Sequence, residues 1–184
     1  MNKIMDYLEA NPIIAAIGDD KWAEALKSQV KVVFYMSANI LTLKERIQQA
    51  HDSKKFVMVH LDLADGIGKD RTGIQFVAQC GADGIISTKG QLIKWAKEMK
   101  LFTVQRFFAI DSSGTESIGE MFRGTAPQLM EIMPGVVTKV IKKYADNGIP
   151  VIAGGLIETK AEVLDALRCG AVAVSTGKPE LWYV

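Results

Sequence analysis

Cysteine, net charge and long apolar runs are all scarce in this chain of 184 residues. Its two cysteines, Cys80 and Cys169, are too few for a disulfide framework, so we expect reduced thiols in a cytoplasmic protein. No apolar run approaches the roughly 20 residues of a membrane span. Residues 1–11 carry Lys3, Asp6 and Glu9 where a signal peptide would be apolar. We therefore expect neither a secretory leader nor a membrane partner.

The near absence of net charge excludes further classes of function. Lys and Arg number 22 and Asp and Glu number 21, which leaves a formal net charge of +1. A protein-wide positive field for non-specific nucleic-acid binding is therefore absent, and any such role needs a local basic patch. Hydrophobic residues make up 48% of the chain, which is enough for a core and excludes intrinsic disorder. The length predicts a single domain over residues 1–184.

Short apolar runs alternate with helix-length amphipathic stretches along the whole chain. Because the runs are continuous rather than alternating, they are typical of parallel strands buried on both faces. The eight candidate strands are 13–17, 32–36, 56–61, 84–87, 102–107, 129–132, 151–153 and 172–175. Eight strand–helix units predict a compact (β/α)8 TIM barrel, with an open doubly wound sheet as the alternative.

The chain is short for such a barrel, since typical members have about 250 residues. We interpret Pro179–Tyr183 as a shortened last helix, so we expect the apolar barrel wall beside it to be exposed. We therefore also expect a homodimer, in which a second copy covers that wall. Residues 80–82 and 169–171 repeat the sequence Cys-Gly-Ala before the fourth and eighth strands. A half-barrel duplication or chance explains this repeat equally well, and the first would favour a closed barrel.

Ligands of TIM barrels bind where the strands end, so the residues directly after each run are the candidates. Gly154 and Gly155 follow the seventh strand, and Ser175, Thr176 and Gly177 follow the eighth. Glycine lets backbone N–H groups approach an anion closely, and barrels commonly bind phosphate at these two strands. The sequence predicts a phosphate site here, with tight turns of purely structural role as the alternative.

Polar side chains at the other strand ends are candidates for binding the rest of a ligand. They are His60, Asp62, Ser87, Lys89, Gln105, Arg106 and Glu131. His60 and Asp62 lie two positions apart, which predicts that both point the same way. Half a metal site, a base with its partner, contacts to ligand hydroxyls and a structural role all stay open for this pair.

Gln105 and Arg106 are adjacent within an apolar strand, so one of them faces the mouth and the other faces the helical layer. A buried Arg106 needs an anion, and the candidates are a ligand or Glu131 on the neighbouring strand. A structural Arg–Glu pair is therefore the alternative to a ligand contact.

Three further segments are candidates for binding. The glycine-rich loop at 65–73 departs from a P-loop, because Leu63 and Asp70 stand where glycine and Ser or Thr are needed. We interpret it as a lid over the mouth, with an ordinary flexible loop as the alternative. The lysine-rich helical faces at 94–100 and 139–143 are typical of solvated exteriors. If RNA binds, they are the candidate phosphate contacts, chiefly Lys139, Lys142 and Lys143.

Six segments resemble, in order and spacing, the glycerol uptake operon antiterminator regulators. They are VHLDL at 59–63, GIISTK at 84–89, QRF at 105–107, EIMPG at 131–135, AGGLI at 153–157 and GAVAVST at 170–176, the last followed by Leu181 and Trp182. The resemblance covers about residues 11–183. It implies a regulator that senses glycerol 3-phosphate, binds leader mRNA and prevents premature termination of transcription of glycerol-metabolism genes.

With that ligand, most of the candidates take a role. Backbone N–H groups at Gly154, Gly155, Thr176 and Gly177 would hold the phosphate, Glu131, Asp62 or Gln105 would bind the glycerol hydroxyls, and His60, Lys89 and Arg106 would be charge partners. We expect no catalytic residue, cofactor or metal.

Two enzyme classes are the alternatives. A phosphosugar isomerase or aldolase would need a Schiff-base lysine or a base, for which Lys89 and Glu131 are candidates. A metal-dependent hydrolase would use His60 and Asp62, although the chain has no second histidine nearby.

Overall fold

The computed structural model describes residues 3–110 and 112–184, without the side chains of residues 112 and 113. Within this part of the chain, the strands are β1 Ile13–Ile17, β2 Val32–Tyr35, β3 Phe56–His60, β4 Gly84–Ser87, β5 Phe102–Phe108, β6 Leu129–Met133, β7 Val151–Gly154 and β8 Ala173–Thr176. Each strand pairs in parallel with the next, and β8 pairs with β1. The predicted TIM barrel is confirmed, and every predicted strand bound lies within one residue of the observed one.

Helices precede the barrel and connect its strands. They are α1 Lys3–Ala10, α2 Trp22–Lys27, α3 Leu43–Asp52, α4 Arg71–Gln79, α5 Gly90–Glu98, α6 Ser112–Thr125, α7 Thr138–Ala145 and α8 Lys160–Arg168. Short 3-10 helices occupy Asp19–Lys21, Leu61–Leu63 and Pro179–Tyr183. Thr159 and Glu162 form a capping box at the start of α8, which fixes where that helix begins.

Alternate strand residues point into the barrel and form two layers. The lower layer is a buried apolar cluster that includes Ile14, Val32, Phe34, Met58, Ile86, Phe102, Val104, Leu129, Ile152 and Ala173. Helix α1 packs Ile4 and Leu8 against this cluster and closes the lower end. Two positions further along four of the same strands, the upper layer consists of His60, Arg106, Glu131 and Ser175. The barrel therefore has a closed apolar end and a polar end.

The last 3-10 helix covers the barrel wall beside it. Leu181 and Trp182 are buried in the outer core together with Ile13 and Val174. The Trp182 indole Nε1 donates to the Thr176 carbonyl at 3.1 Å, which holds the ring in place. The shortened last helix is as predicted, but the expectation of exposed wall is wrong, because this one large ring replaces a longer helix. The homodimer stays a prediction without that argument.

Two further expectations concern the surroundings of the barrel. Cys80 and Cys169 are free thiols at the C-terminal ends of α4 and α8, one buried and one half-buried. None of the helices within the described ranges is long and apolar enough to cross a membrane.

Candidate functional site

A cavity of about 400 Å3 opens at the polar end of the barrel. Its lining includes Arg106, Glu131 and Ser175 from the upper layer. The remaining lining comes from the upper ends of β1, β6 and β8 and from the loops after β1, β2, β7 and β8. The volume lies within the range of about 300–1,000 Å3 that small-molecule sites occupy.

A buried ion pair lies in this cavity. Arg106 and Glu131 face each other in the β5–β6 register, and the Arg106 Nε lies 2.6 Å from Glu131 Oε2. The Ser175 hydroxyl, on β8, donates to the other carboxylate oxygen at 2.7 Å. Arg106 is 7% exposed and Glu131 is fully buried. The anion that Arg106 needs is thus Glu131, and both groups still line the cavity.

His60 extends this network to β3. The Arg106 Nη1 lies 3.0 Å from His60 Nε2, and because a guanidinium only donates, Nε2 must accept. The proton of the ring therefore lies on Nδ1, which is buried and has no partner within the described residues. Burial, and then the Arg106 charge, lower the pKa of His60, so the ring is neutral at pH 7. The positive charge of Arg106 beside the ring also disfavours binding of a metal ion at His60.

The loops after β7 and β8 present backbone donors to the cavity. In the ranges that the structure describes, the N–H groups of Gly155, Leu156 and Gly177 donate to no protein acceptor. All three residues line the cavity. Gly155 has φ of +74°, a conformation that favours glycine. Unused backbone donors at a cavity wall are suited to an anion.

Gly154 and Thr176 support the same loops in different ways. A Cβ at Gly154 would lie 2.4 Å from Glu131 Oε1 and 2.6 Å from Ser175 Oγ, so only glycine leaves room for that hydrogen bond. The Thr176 hydroxyl donates to the Ile157 carbonyl at 3.1 Å and joins the two loops. Both residues therefore shape the site through protein contacts.

Two lysines that line the cavity, Lys21 and Lys178, were not predicted from the sequence. Lys21 ends the 3-10 helix after β1, and its Nζ donates to the Gly177 carbonyl at 2.6 Å. Lys178 follows Gly177 directly and lies 3.8 Å from Glu158 Oε1. The position of Lys178 just beyond β8 was a usable signal. Lys21 lies four residues beyond β1, where strand ends alone do not point.

The structure places several predicted residues away from the cavity. Gln105 faces the helical layer, where its carbonyl oxygen accepts from the Thr125 hydroxyl of α6, so its expected contact to a ligand hydroxyl is corrected. Arg106, its neighbour, is the one that faces the mouth. Lys89 is exposed at the start of α5 and contributes nothing to the cavity lining.

Asp62 and Ser87 belong to one local hydrogen-bond group. Residues 61–63 form a 3-10 helix, so the period of two that predicted a shared direction with His60 ends at His60. Asp62 Oδ1 accepts from Ser87 Oγ at 2.6 Å, and Oδ2 accepts from the Thr88 N–H at 2.7 Å. Burial alone would raise the pKa of Asp62, but the hydrogen bonds from Ser87 and Thr88 outweigh it and lower the pKa. This carboxylate holds the end of β4.

The loop at 65–73 is tied to the barrel. The Asp65 N–H donates to the Ala38 carbonyl at 2.7 Å, Ile67 is buried, and Lys69 Nζ donates to the Ile67 carbonyl at 2.9 Å. Other segments line the cavity. These contacts oppose the interpretation of this loop as a lid.

The candidate RNA contacts lie on the outer face of the barrel. Lys139, Lys142 and Lys143 are exposed on α7. Lys142 forms an ion pair with Asp146 at 3.1 Å, and the Lys143 Nζ lies 5.6 Å from the centre of the Tyr144 ring. They form a surface separate from the mouth cavity.

Comparison with known proteins gives consistent matches. The family model described as glycerol-3-phosphate responsive antiterminator matches residues 13–182. The crystal structure of the glycerol uptake operon antiterminator regulatory protein from Listeria monocytogenes is 34% identical, with a TM-score of 0.87 over 93% of this chain and 94% of that one. A glycerol uptake operon antiterminator-related protein from Thermotoga maritima is 36% identical, with a TM-score of 0.86 over 95% of this chain and 99% of that one.

More distant matches bear on the fold. Solved aldolases at 11–12% identity superpose with TM-scores of 0.69–0.74, which shows a shared barrel alone. An Escherichia coli K12 protein, uncharacterized protein YgcP, is 31% identical over 182 residues, covering 97% of this chain and 95% of that protein. Because the family model spans nearly the whole chain, the chain belongs to the glycerol-3-phosphate responsive antiterminator family.

Proposed function

We propose that this protein binds glycerol 3-phosphate in the mouth cavity and that binding controls its action as an antiterminator on leader mRNA in the cytoplasm. One observation carries the proposal: a single cavity combines unused backbone N–H donors with a buried carboxylate. The donors suit a phosphate and the carboxylate suits hydroxyl groups, so the two ends of one small phosphorylated polyol fit the two kinds of wall.

The phosphate end is the wall formed by the loops after β7 and β8. The free N–H groups of Gly155, Leu156 and Gly177 supply neutral donors. Lys21 and Lys178 add positive charge beside them. Hydrogen bonds from charged donors to a phosphate contribute about 1.5–3 kcal/mol each, so these lysines contribute much of the affinity.

The hydroxyl end is the floor formed by Arg106, Glu131 and Ser175. Glu131 accepts one hydrogen bond on each carboxylate oxygen, and a carboxylate has about four acceptor positions, so it can accept from ligand hydroxyls as well. Arg106 supplies N–H groups beyond the one that Glu131 uses. A floor of this kind selects a polyol phosphate over inorganic phosphate.

An aldolase or isomerase on this scaffold remains the alternative. None of the eight strands within the described residues carries a lysine, and Lys89 is outside the cavity, so the Schiff-base group of such an enzyme lacks a position on the barrel wall. Turnover of a triose phosphate would establish the alternative and overturn the regulatory proposal.

Calorimetric titration tests the proposal directly. We expect glycerol 3-phosphate to bind at least a hundredfold more tightly than either glycerol or inorganic phosphate, because each of those fills one end of the cavity. Equal affinity for glycerol 3-phosphate and inorganic phosphate contradicts the hydroxyl end. Absence of binding at millimolar glycerol 3-phosphate contradicts the site.

A pair of lysine variants localises the phosphate. Lys21→Met removes a cation of the cavity, and we expect it to weaken glycerol 3-phosphate binding at least tenfold. Lys27→Met removes the same charge from the exposed end of α2 and serves as the matched control. Equal losses in the two variants contradict a phosphate contact at Lys21.

A further inference from the structure

A second cavity, of about 350 Å3, lies on the outer face of the barrel between α6 and α7. We call it the α6–α7 groove. Its lining combines two aromatic rings, Phe122 and Tyr144, with two cations, Arg123 and Lys143. Nothing in the ligand chemistry of the mouth uses this groove, and it includes a lysine of the α7 face predicted for RNA contact.

Hydrogen bonds hold the groove in shape. The Tyr144 hydroxyl donates to the Thr115 carbonyl and joins α7 to α6. Burial raises the pKa of Tyr144, so the phenol stays protonated and keeps donating. The Asn147 amide donates to the Lys143 carbonyl at 2.6 Å, across the end of α7. The groove is therefore a built feature of the two helices.

The chemistry of the lining matches an unpaired nucleotide. Proteins recognise single-stranded RNA by stacking bases on aromatic side chains and placing Arg or Lys on the phosphates. Phe122 is partly buried in the groove wall, whereas Arg123 and Lys143 are exposed at its edge. The exposed Lys139 and Lys142 continue the basic face along α7.

We propose that the α6–α7 groove binds an unpaired nucleotide of RNA, with the base beside Phe122 and the flanking phosphates on Arg123 and Lys143. This inference rests on the proposed function, since it names the surface that meets the RNA. Glu116, also in the lining, supplies an acceptor for amino groups of a base.

The groove is connected to the mouth through two strands. Helix α6 follows β5, which carries Arg106, and α7 follows β6, which carries Glu131. Gln105, the neighbour of Arg106, accepts a hydrogen bond from Thr125 at the end of α6. A ligand that contacts the Arg106–Glu131 pair thus acts on the two strands that position the groove. Coupling of this kind requires the ligand to favour one of two states, and it works in both directions.

Fluorescence anisotropy with a labelled, random-sequence single-stranded RNA of 20 nucleotides tests the groove. The full chain is titrated with and without saturating glycerol 3-phosphate, at several salt concentrations. The double variant Arg123→Gln/Lys143→Gln removes two phosphate contacts. We expect at least tenfold weaker binding and a salt slope that is shallower by about 1.4, since each single-strand contact contributes about 0.7.

A charge-matched double variant provides the control. Lys27→Gln/Lys44→Gln removes two exposed lysines from α2 and α3, on other faces of the barrel. We expect wild-type affinity and slope, apart from a weak general effect of net charge. Phe122→Leu keeps an apolar side chain and removes the stacking surface, and we expect at least fivefold weaker binding with an unchanged salt slope.

Each outcome separates the groove from the proposed function. If the groove variants bind RNA like wild type, or if the control loses as much as the groove variant, the groove assignment is overturned while effector binding stands. If duplex RNA of the same length competes equally well, the unpaired nucleotide is overturned. If the wild type binds no RNA at low salt, the groove is overturned, and the glycerol 3-phosphate titration remains an independent test of the mouth.

Discussion

The two layers inside the barrel come from the same strands and contain opposite kinds of residue. The lower layer is apolar, and α1 closes it with Ile4 and Leu8. The upper layer holds the buried pair Arg106–Glu131. A buried ion pair is a poor way to stabilise a fold, because apolar residues of similar volume do as well or better. The lower layer therefore provides stability, and in the proposed function the upper layer serves ligand binding.

The largest effect is expected from a cavity in the lower layer. Phe34 is 1% exposed inside the barrel, and Phe34→Ala should lower the free energy of unfolding by about 3–5 kcal/mol. The affinity of the folded protein for glycerol 3-phosphate should stay unchanged, because the mouth does not depend on this ring. Urea denaturation and calorimetry measure the two quantities.

Leu41→Ala is the control for Phe34→Ala. Leu41 is 88% exposed, so its truncation should change the free energy of unfolding by no more than about 0.5 kcal/mol. If Phe34→Ala weakens ligand binding in proportion to its loss of stability, the two layers are not separate in function.

The next effect concerns the ion pair of the upper layer. Glu131→Leu leaves the Arg106 charge buried without its anion and should cost about 3 kcal/mol of stability. The double variant Arg106→Met/Glu131→Leu removes both charges and should regain most of that loss. Both variants should lose glycerol 3-phosphate binding, since the floor of the cavity no longer offers the Glu131 carboxylate to the ligand hydroxyls.

The double variant is the sharper of the two experiments. If the double variant regains stability but still does not bind the ligand, the contribution of the upper layer to stability and its contribution to ligand binding are separated within one protein. A double variant as unstable as Glu131→Leu would show that the pair is needed for folding. A double variant that still binds the ligand would remove the floor from the site.

Local patterns predicted the scaffold and one part of the site. Continuous apolar runs gave the strand bounds to within one residue, because a buried parallel strand needs apolar residues on both faces. Because Gln105 and Arg106 are adjacent in a strand, their side chains were predicted to point to opposite faces of the sheet. Glu131 on the neighbouring strand was predicted as a partner of Arg106, and the two residues are paired in the β5–β6 register.

The remainder of the site depends on how the chain departs from a strand. Asp62 lies in a 3-10 helix, which replaces the period of two by a turn and brings its carboxylate to Ser87 and Thr88. Lys21 reaches Gly177 across 156 positions of sequence, a contact that no local pattern encodes.

The smallest expected effect concerns Lys55, a charged residue that is buried at the lower end of the barrel beside the apolar layer. Lys55 is 2% exposed and donates to the carbonyls of Ser28 and Val30 at 2.8 and 2.6 Å. Burial, with a contribution from Lys31, lowers the pKa of Lys55 to about 8 from 10.5. Between pH 8 and 10.5 the unfolded chain therefore binds more protons at this residue than the folded protein does.

Rising pH should consequently stabilise the wild type relative to Lys55→Met, by at most about 1.4 kcal/mol per pH unit. Below pH 8 the lysine is protonated in both states, so the difference in unfolding free energy between the two proteins should level off. Urea denaturation of both proteins at pH 7, 9 and 10 measures that difference and cancels the other titrating groups. A difference that stays constant over this range would mean that Lys55 is held as an ordinary solvated ammonium. In that case the lower end would accommodate a charged group as readily as the mouth does. The two layers would then differ in the polarity of their side chains but not in their access to water.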